Sequence, residues 1–279
     1  MRLADLFDCF LIDLDGVVYV GESPTEGSVE TINLLKKAGK IVIFLTNDPR
    51  KSAAEYSEKL RGMGIVVNPG DVVTSGMAIA YHIRSSHPDI KEKKAYVVGS
   101  SSLKDEIRLT GLPLVSGEEA KKADFVIVGG HPDFHYEEMK IAALAVRGGA
   151  EFFATNRDPV FPTPEGLVPA TGAVLASIET ACGRKAVVAG KPELIMFEVA
   201  LAEHLHRDRD RFAIIGDRLD TDVQGGRNAG IATILALSGS TTEEDLIISE
   251  IKPDYVIRDL RDLLKDAPVA SGKHAQSKH

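Results

Sequence analysis

The chain has 279 residues, 44% hydrophobic and 27% charged, which is enough for one large domain or two smaller ones with real cores. Its formal charge of -8 argues against a nucleic-acid backbone or an anionic membrane surface as the main partner, so an anionic substrate needs a local cationic site. No apolar run reaches the roughly 18 residues of a membrane span, MRLADLFD lacks a signal-peptide pattern, and Cys9 and Cys182 have neither CxxC nor metal-ligand spacing, so a soluble, cytoplasmic protein with reduced thiols is expected.

The first predicted strand, Cys9 to Ile12, runs into Asp13, Leu14, Asp15 and Gly16. Alternate side chains of an extended strand share a face, so Asp13 and Asp15 are expected to point into one site, with Gly16 allowing a sharp turn. A helix is predicted over Ser28 to Ala38 and a strand over Ile41 to Leu45, which ends in Thr46, Asn47 and Asp48. Asp48 followed by Pro49 reads as an N-cap and first helical residue for a helix over Arg50 to Met63. Strands follow at Tyr96 to Val98 and Phe125 to Val128, then a helix at Tyr136 to Arg147. A strand at Val187 to Ala189 ends in Gly190, Lys191 and Pro192, before a helix over Pro192 to Leu205. The last predicted strand, Phe212 to Ile215, runs into GDRLDTD at 216 to 222. The tail from about Ala267 is small and polar, and disorder is expected there.

Short apolar strands alternating with amphipathic helices predict an α/β fold on a parallel sheet. In such sheets the strand C-termini share one edge and ligands bind outside it. Carboxylates, a hydroxyl, an amide and an amine all occur where strands stop, so they are expected to converge. That inventory suits phosphoryl transfer through an aspartyl-phosphate. Asp13 is the candidate nucleophile and Asp15 the candidate acid/base. A phosphate dianion near carboxylates meets repulsion of about 4 kcal/mol per charge pair at ~4 Å and an effective dielectric near ~20. Mg²⁺ on Asp13 and Asp217, with the Lys191 ammonium, would offset it, while Thr46 and Asn47 donate to phosphoryl oxygens. Each piece alone has a plainer reading: turn chemistry, a helix start, a solvated lysine or an acidic capping loop. The ordered set, each piece directly after a strand, is much harder to obtain by accident.

The same set carries a family resemblance. DLDGV at 13 to 17, TND at 46 to 48, GKP at 190 to 192 and GDRLDTD at 216 to 222 resemble, in order, the four motifs of the haloacid dehalogenase superfamily of phosphatases. The resemblance implies a Rossmann-like, doubly wound parallel core with an inserted α/β cap domain. The core is expected at 1–79 and 184–265, the cap at 80–183 and a disordered tail at 266–279. It implies Asp13 as nucleophile, Asp15 as general acid/base, Thr46 and Asn47 at the phosphoryl group and Lys191 neutralising charge. Mg²⁺ would be held by Asp13, Asp217 and the backbone carbonyl of Asp15, with Asp222 orienting a metal-bound water or Lys191. VGGHPDFHYEEM at 128 to 139 and the segment from 154 to 179 are similar to the NagD-like branch, which includes 4-nitrophenylphosphatases, phosphoglycolate and glycerol-phosphate phosphatases and nucleotide phosphatases. Such relatives often pair through their caps, which implies a homodimer. Asp48 stands where many of them carry a second Asn, an extra acid expected to bear on substrate preference.

Arg157 is a candidate contact for an anionic substrate group, with a solvated loop arginine as the alternative, and Asn156 and Asp158 share that ambiguity. His131 and His135 have the i, i+4 spacing of a metal pair, but Pro132 disfavours helix there. The expected partner is a small phosphorylated metabolite. Alternatives are a nucleoside-monophosphate phosphatase, which needs a base pocket from residues such as Phe134, Tyr136, Phe152 and Phe153, a phosphomutase, or a non-hydrolytic phospho-acceptor module.

Overall fold

The computed structural model describes residues 1–68, 70–163, 165–204 and 206–266, so the predicted disordered tail lies, beyond 266, outside the described residues. By contact the chain divides into two compact units. The first comprises Met1–Leu45, Ser57–Val72 and the described residues from Ala200 onward; the second comprises Thr46–Tyr56 and Val73–Val199. The segment 80–183 falls inside the second unit, whose bounds run wider on both sides.

In chain order the strands are β1 (Cys9–Asp13), β2 (Tyr19–Val20), β3 (Ser23–Pro24), β4 (Ile41–Thr46), β5 (Val72–Thr74), β6 (Ala95–Gly99), β7 (Phe125–Gly130), β8 (Glu151–Ala154), β9 (Val160–Thr163), β10 (Gly166–Pro169), β11 (Val187–Val188), β12 (Phe212–Gly216), β13 (Ala232–Ala236) and β14 (Tyr255–Ile257). The α-helices are α1 (Ser28–Lys37), α2 (Ala53–Gly62), α3 (Ser75–Ser86), α4 (Ser101–Leu109), α5 (Tyr136–Arg147), α6 (Thr171–Cys182), α7 (Leu194–Leu201), α8 (Gln224–Ala229) and α9 (Glu243–Ile248).

The sheet of the first unit has the order β5-β4-β1-β12-β13-β14. Cys9 opposes Ile41 on one side and Phe212 on the other, both pairings parallel. Counted along the chain this is third, second, first, fourth, fifth, sixth, the doubly wound order whose reversal lies between β1 and β12. Residues Cys9 to Ile12 have no exposed surface, as expected of a central strand covered on both faces. The reading of the sequence missed β5, β13 and β14, although Ile231 to Leu237 is a mostly apolar run bounded by Gly230 and Ser238.

The second unit has its own parallel sheet, β11-β8-β7-β6. Tyr96, Val98, Val126, Val128, Phe152 and Ala154 alternate with opposite-facing residues and form one core with apolar residues of α5 and α6. On the other side of the sheet His82 of α3 meets the Phe153 ring edge-on at 5.9 Å. Phe152 and Phe153 are therefore core residues, 4% exposed each, and are spent on packing rather than on a base pocket. Phe134 is half-buried and Tyr136 exposed.

Helix α2 corrects the expected start. Asp48 does not cap it; Ser52 does, because its Oγ accepts from Glu55 N–H at 3.3 Å while the Glu55 carboxylate accepts from Ser52 N–H at 2.7 Å. This reciprocal pair is a capping box, which the sequence SAAE already spelled. Helix α7 likewise spans only Leu194–Leu201 of the predicted 192–205, with a 3₁₀ turn at Ala202–His204. Among the described residues no helix is long and apolar enough to cross a membrane.

Candidate active site

Strands β1 and β12 stop together at the reversal of the first sheet: Ile12 opposes Ile215, and the next residues are Asp13 and Gly216. Asp217 follows directly. A turn of π-helix over Leu219–Val223 then carries Asp222 back toward the strand end. The result is a group of three carboxylates, Asp13, Asp217 and Asp222, with one oxygen of each within 4.8 Å of the others; among the described residues this is the one such group of potential metal ligands. Asp217 is 4% exposed and Asp222 has no exposed surface, whereas Asp13 is half-buried.

Local backbone holds the cluster. Asp217 Oδ2 accepts from Ser240 N–H at 2.6 Å and from Ser240 Oγ at 2.7 Å. A Cβ on Gly239 would lie 2.1 Å from that oxygen, so the loop after β13 can approach Asp217 only as glycine. Asp222 Oδ2 accepts from Arg218 N–H at 3.2 Å, and its carboxyl packs on Gly216, where a Cβ would lie 2.1 Å from Asp222 Cγ. Ser240 and Gly239 were missed because the strand that delivers them was missed.

Three carboxylates at this spacing repel by about 3.5 kcal/mol or more per ionised pair at an effective dielectric near ~20. A hard divalent cation suits an all-oxygen set of this kind, so the residues present fit Mg²⁺. Two expectations shift. Asp222, expected behind the metal, stands in the carboxylate group itself. Asp15, expected to share a face with Asp13, lies past the end of β1 in the turn closed by Gly16 N–H to the Tyr19 carbonyl at 2.8 Å; its side chain is exposed and outside the carboxylate group. Strand β1 ends at Asp13, so strand alternation does not extend to Asp15.

The remaining predicted residues belong to the second unit. Thr46 is buried, and its Oγ1 accepts from Asp48 N–H at 3.1 Å. Lys191 is 3% exposed. The Asn47 carboxamide binds the Lys191 backbone: Oδ1 accepts from its N–H at 2.8 Å, and Nδ2 donates to its carbonyl at 3.0 Å and to Asp158 Oδ2 at 3.0 Å. The structure thus gives the Asn47 side chain backbone and carboxylate partners where a phosphoryl oxygen was expected.

Asp48 and Arg157, both expected at the substrate, are engaged in ion pairs. Asp48 accepts from Arg50 Nε and Nη2 at 2.8 Å each and from the Tyr56 hydroxyl at 2.8 Å. Burial pushes its carboxyl up, but Arg50 and Tyr56 outweigh this and hold it below the usual range. The Arg50 guanidinium in turn stacks 3.9 Å from the Phe161 ring centroid. Arg157 forks onto Glu179 at 2.7 and 3.1 Å and donates to the Ala186 carbonyl at 3.3 Å. The guanidinium is thus held on a buried carboxylate, where a substrate contact or a solvated loop arginine was expected. His131 and His135 both lie against Glu138, at 3.0 and 3.1 Å.

Comparison with known proteins agrees with this geometry. Residues 10–113 match the model of the haloacid dehalogenase-like hydrolase family, and residues 188–263 match a second model of the same class, HAD-hydrolase-like. The chain is 35% identical over 260 residues to an acid sugar phosphatase of Staphylococcus saprophyticus, covering 93% of this chain and 98% of that one. It resembles the crystal structure of a 4-nitrophenylphosphatase from Thermotoga maritima with a TM-score of 0.86 and 37% identity, over 94% of this chain and 98% of that one. A glycerol phosphate phosphatase from Mycobacterium tuberculosis, solved with magnesium, is 34% identical with a TM-score of 0.85, over 94% of this chain and 78% of that one.

Proposed function

The chain belongs to the haloacid dehalogenase-like hydrolases, and from that premise we propose that it hydrolyses small phosphate monoesters through a phosphorylated Asp13. It is a phosphoric monoester hydrolase, and its cofactor is Mg²⁺. The observation that supports the residue assignment is the meeting of Asp13, Asp217 and Asp222 at the reversal of a doubly wound sheet.

In the first step a carboxylate oxygen of Asp13 attacks phosphorus and the ester P–O bond breaks. Asp15, entering as the acid, gives its proton to the departing alkoxide. In the second step Asp15, now a carboxylate, takes a proton from water. The water oxygen attacks phosphorus, the acyl-phosphate bond breaks, and inorganic phosphate leaves with Asp13 restored. Asp13, Asp217 and Asp222, with the backbone carbonyl of Asp15, would hold Mg²⁺. Bound there, the ion supplies positive charge that offsets repulsion between carboxylates and phosphate. Thr46 and Lys191 are assigned to the phosphoryl oxygens, Thr46 as hydroxyl donor and Lys191 as fixed cation.

The segment 80–183 is read as the inserted cap, with a small phosphorylated metabolite as substrate. The nucleotide alternative loses support because Phe152 and Phe153 are core residues. A cytoplasmic location and pairing as a homodimer complete the proposal; both cysteines are buried and free, as a reducing compartment allows. The test is phosphate release from 4-nitrophenyl phosphate, glycerol phosphates, phosphoglycolate and nucleoside monophosphates, with Mg²⁺ and with EDTA. Release that requires Mg²⁺ and favours the small metabolites supports the reading. Preference for nucleotides moves the substrate class, and release from none of them overturns the proposal.

A further inference from the structure

A primary carboxamide turned by 180° about its last bond keeps its shape but exchanges donor and acceptor. For Asn47 the two orientations are far from equivalent. In the observed one, Oδ1 faces the Lys191 N–H while Nδ2 faces the Lys191 carbonyl and Asp158 Oδ2. In the flipped one, Oδ1 would face the carbonyl and the carboxylate, and Nδ2 would face the N–H. An ionised carboxylate can only accept, so Asp158 selects the orientation that grips the Lys191 peptide from both sides. We infer that Asp158 is a positioning residue: by orienting Asn47 it sets the backbone that carries the Lys191 ammonium.

The surroundings make Asp158 fit for that task, all within the second unit. Its N–H donates to Asn156 Oδ1 at 3.0 Å, and its carbonyl accepts from Gly172 N–H at 2.8 Å. A Cβ on Gly172 would lie 2.3 Å from the Arg157 carbonyl oxygen, so the start of α6 packs directly on this loop. Arg157 anchors the same loop to Glu179, and Asn156 Nδ2 donates to the Asn47 carbonyl at 2.6 Å. Opposite, a Cβ on Gly190 would lie 2.6 Å from Asn47 Oδ1, so the residue before Lys191 leaves room for the grip only as glycine. The loop at 156–158 thus touches Asn47 by both backbone and side chain.

The inference rests on the reading of Lys191 as the cation at the phosphoryl group. Its test compares wild type, Asp158→Ala, Asp158→Asn, Asn47→Asp and the double variant Asn47→Asp/Asp158→Asn on 4-nitrophenyl phosphate with Mg²⁺. Misplacing a catalytic group by a fraction of an ångström to about 1 Å costs up to ~100-fold, so Asp158→Ala is expected to lower kcat/KM by roughly 10- to 100-fold. Asp158→Asn, which still offers an acceptor, stays within about fivefold of wild type. Asn47→Asp sets two carboxylates face to face and falls at least as far as Asp158→Ala. Adding Asp158→Asn restores a donor opposite that carboxylate and recovers about tenfold or more, whereas independent structural damage would compound. Should Asp158→Ala not fold, the comparison of Asn47→Asp with the double variant decides alone. An active wild type with Asp158→Ala within about twofold of it, or a double variant no better than Asn47→Asp, overturns this inference alone. A wild type that releases no phosphate from any of the monoesters overturns the phosphatase reading and this inference with it.

Discussion

Gly16 and Asp217, two hundred residues apart in sequence, leave no room between them for a methyl group: a Cβ at position 16 would lie 2.5 Å from Asp217 Oδ2. Gly16 also has φ of +82°, a left-handed conformation that costs other residues on the order of 1 kcal/mol or more. Gly16→Ala is therefore expected to displace Asp217 or reshape the turn bearing Asp15. Activity should fall by about tenfold or more while the protein stays folded, because the strain is local. Magnesium titration of phosphate release checks it; a variant with wild-type kcat and magnesium requirement would show that the contact is slack.

Asp13→Asn removes the proposed nucleophile but keeps its shape. Phosphate release should drop by about 1,000-fold or more, with no acid-labile phosphate on the protein after quenching. Asp15→Asn should instead slow turnover by roughly 100- to 10,000-fold while still allowing some phosphorylated Asp13 to form with a good leaving group such as 4-nitrophenolate, which needs little proton assistance. Mass spectrometry of quenched protein separates the two. Equal absence of the adduct in both variants would remove the distinction drawn between the two acids.

Asp222→Asn takes one charge from a carboxylate group whose oxygens lie within 4.8 Å of one another. Weaker attraction for a divalent cation should raise the Mg²⁺ concentration for half-maximal activity by about tenfold. A Mg²⁺ titration reads this directly. An unchanged midpoint with lowered kcat would place Asp222 in orientation rather than in metal affinity.

Glu179 is a buried acid whose pKa is lowered from 4.5 to about 2: burial raises it, but Arg157, Lys185 and the Ala186 N–H together lower it more. A depressed carboxylate contributes stability that is present above its unfolded value and is lost as pH falls through its folded value. Glu179→Gln should therefore cost on the order of 2 kcal/mol at neutral pH, less than the full shift implies because Arg157 and Lys185 are partly exposed and screened. The difference from wild type should shrink as pH falls from about 4.5 toward 2. Thermal melts at pH 7, 5, 4 and 3 check the trend; a gap that is constant across the range would show that the clamp acts by packing.

Asp48→Asn replaces an acid already neutralised by Arg50 and bonded to Tyr56. Stability should fall by about 1 kcal/mol, a shift of a few degrees in Tm, while the ranking of substrates stays as in wild type. A changed ranking would mean that Arg50, once released, reaches substrate.

The proposed catalytic inventory could be read from the sequence because aspartyl-phosphate chemistry needs a few residue types directly after particular strands. Those strands are continuous apolar runs that are hard to mistake. The strand ends at Asp13 and Gly216 followed from that pattern, whereas the doubly wound order was implied by the family resemblance. Other elements were less visible for local reasons. Strand β14 is only three residues long, and the start of α2 was assigned to Asp48-Pro49 although Ser52 and Glu55 formed the better cap.

Residue type and spacing along the chain therefore determined the class of chemistry and the candidates for nucleophile and charge-bearing partners, since these depend on functional groups and on strand period. What each side chain spends its hydrogen bonds on was decided only by tertiary structure. Arg157 could have met a substrate, but Glu179 approaches it from a helix 22 residues on; Asn47 could have met phosphate, but Lys191 and Asp158 arrive from 144 and 111 residues away. Such pairings are set by which loops pack together, and local sequence carries no record of distant partners.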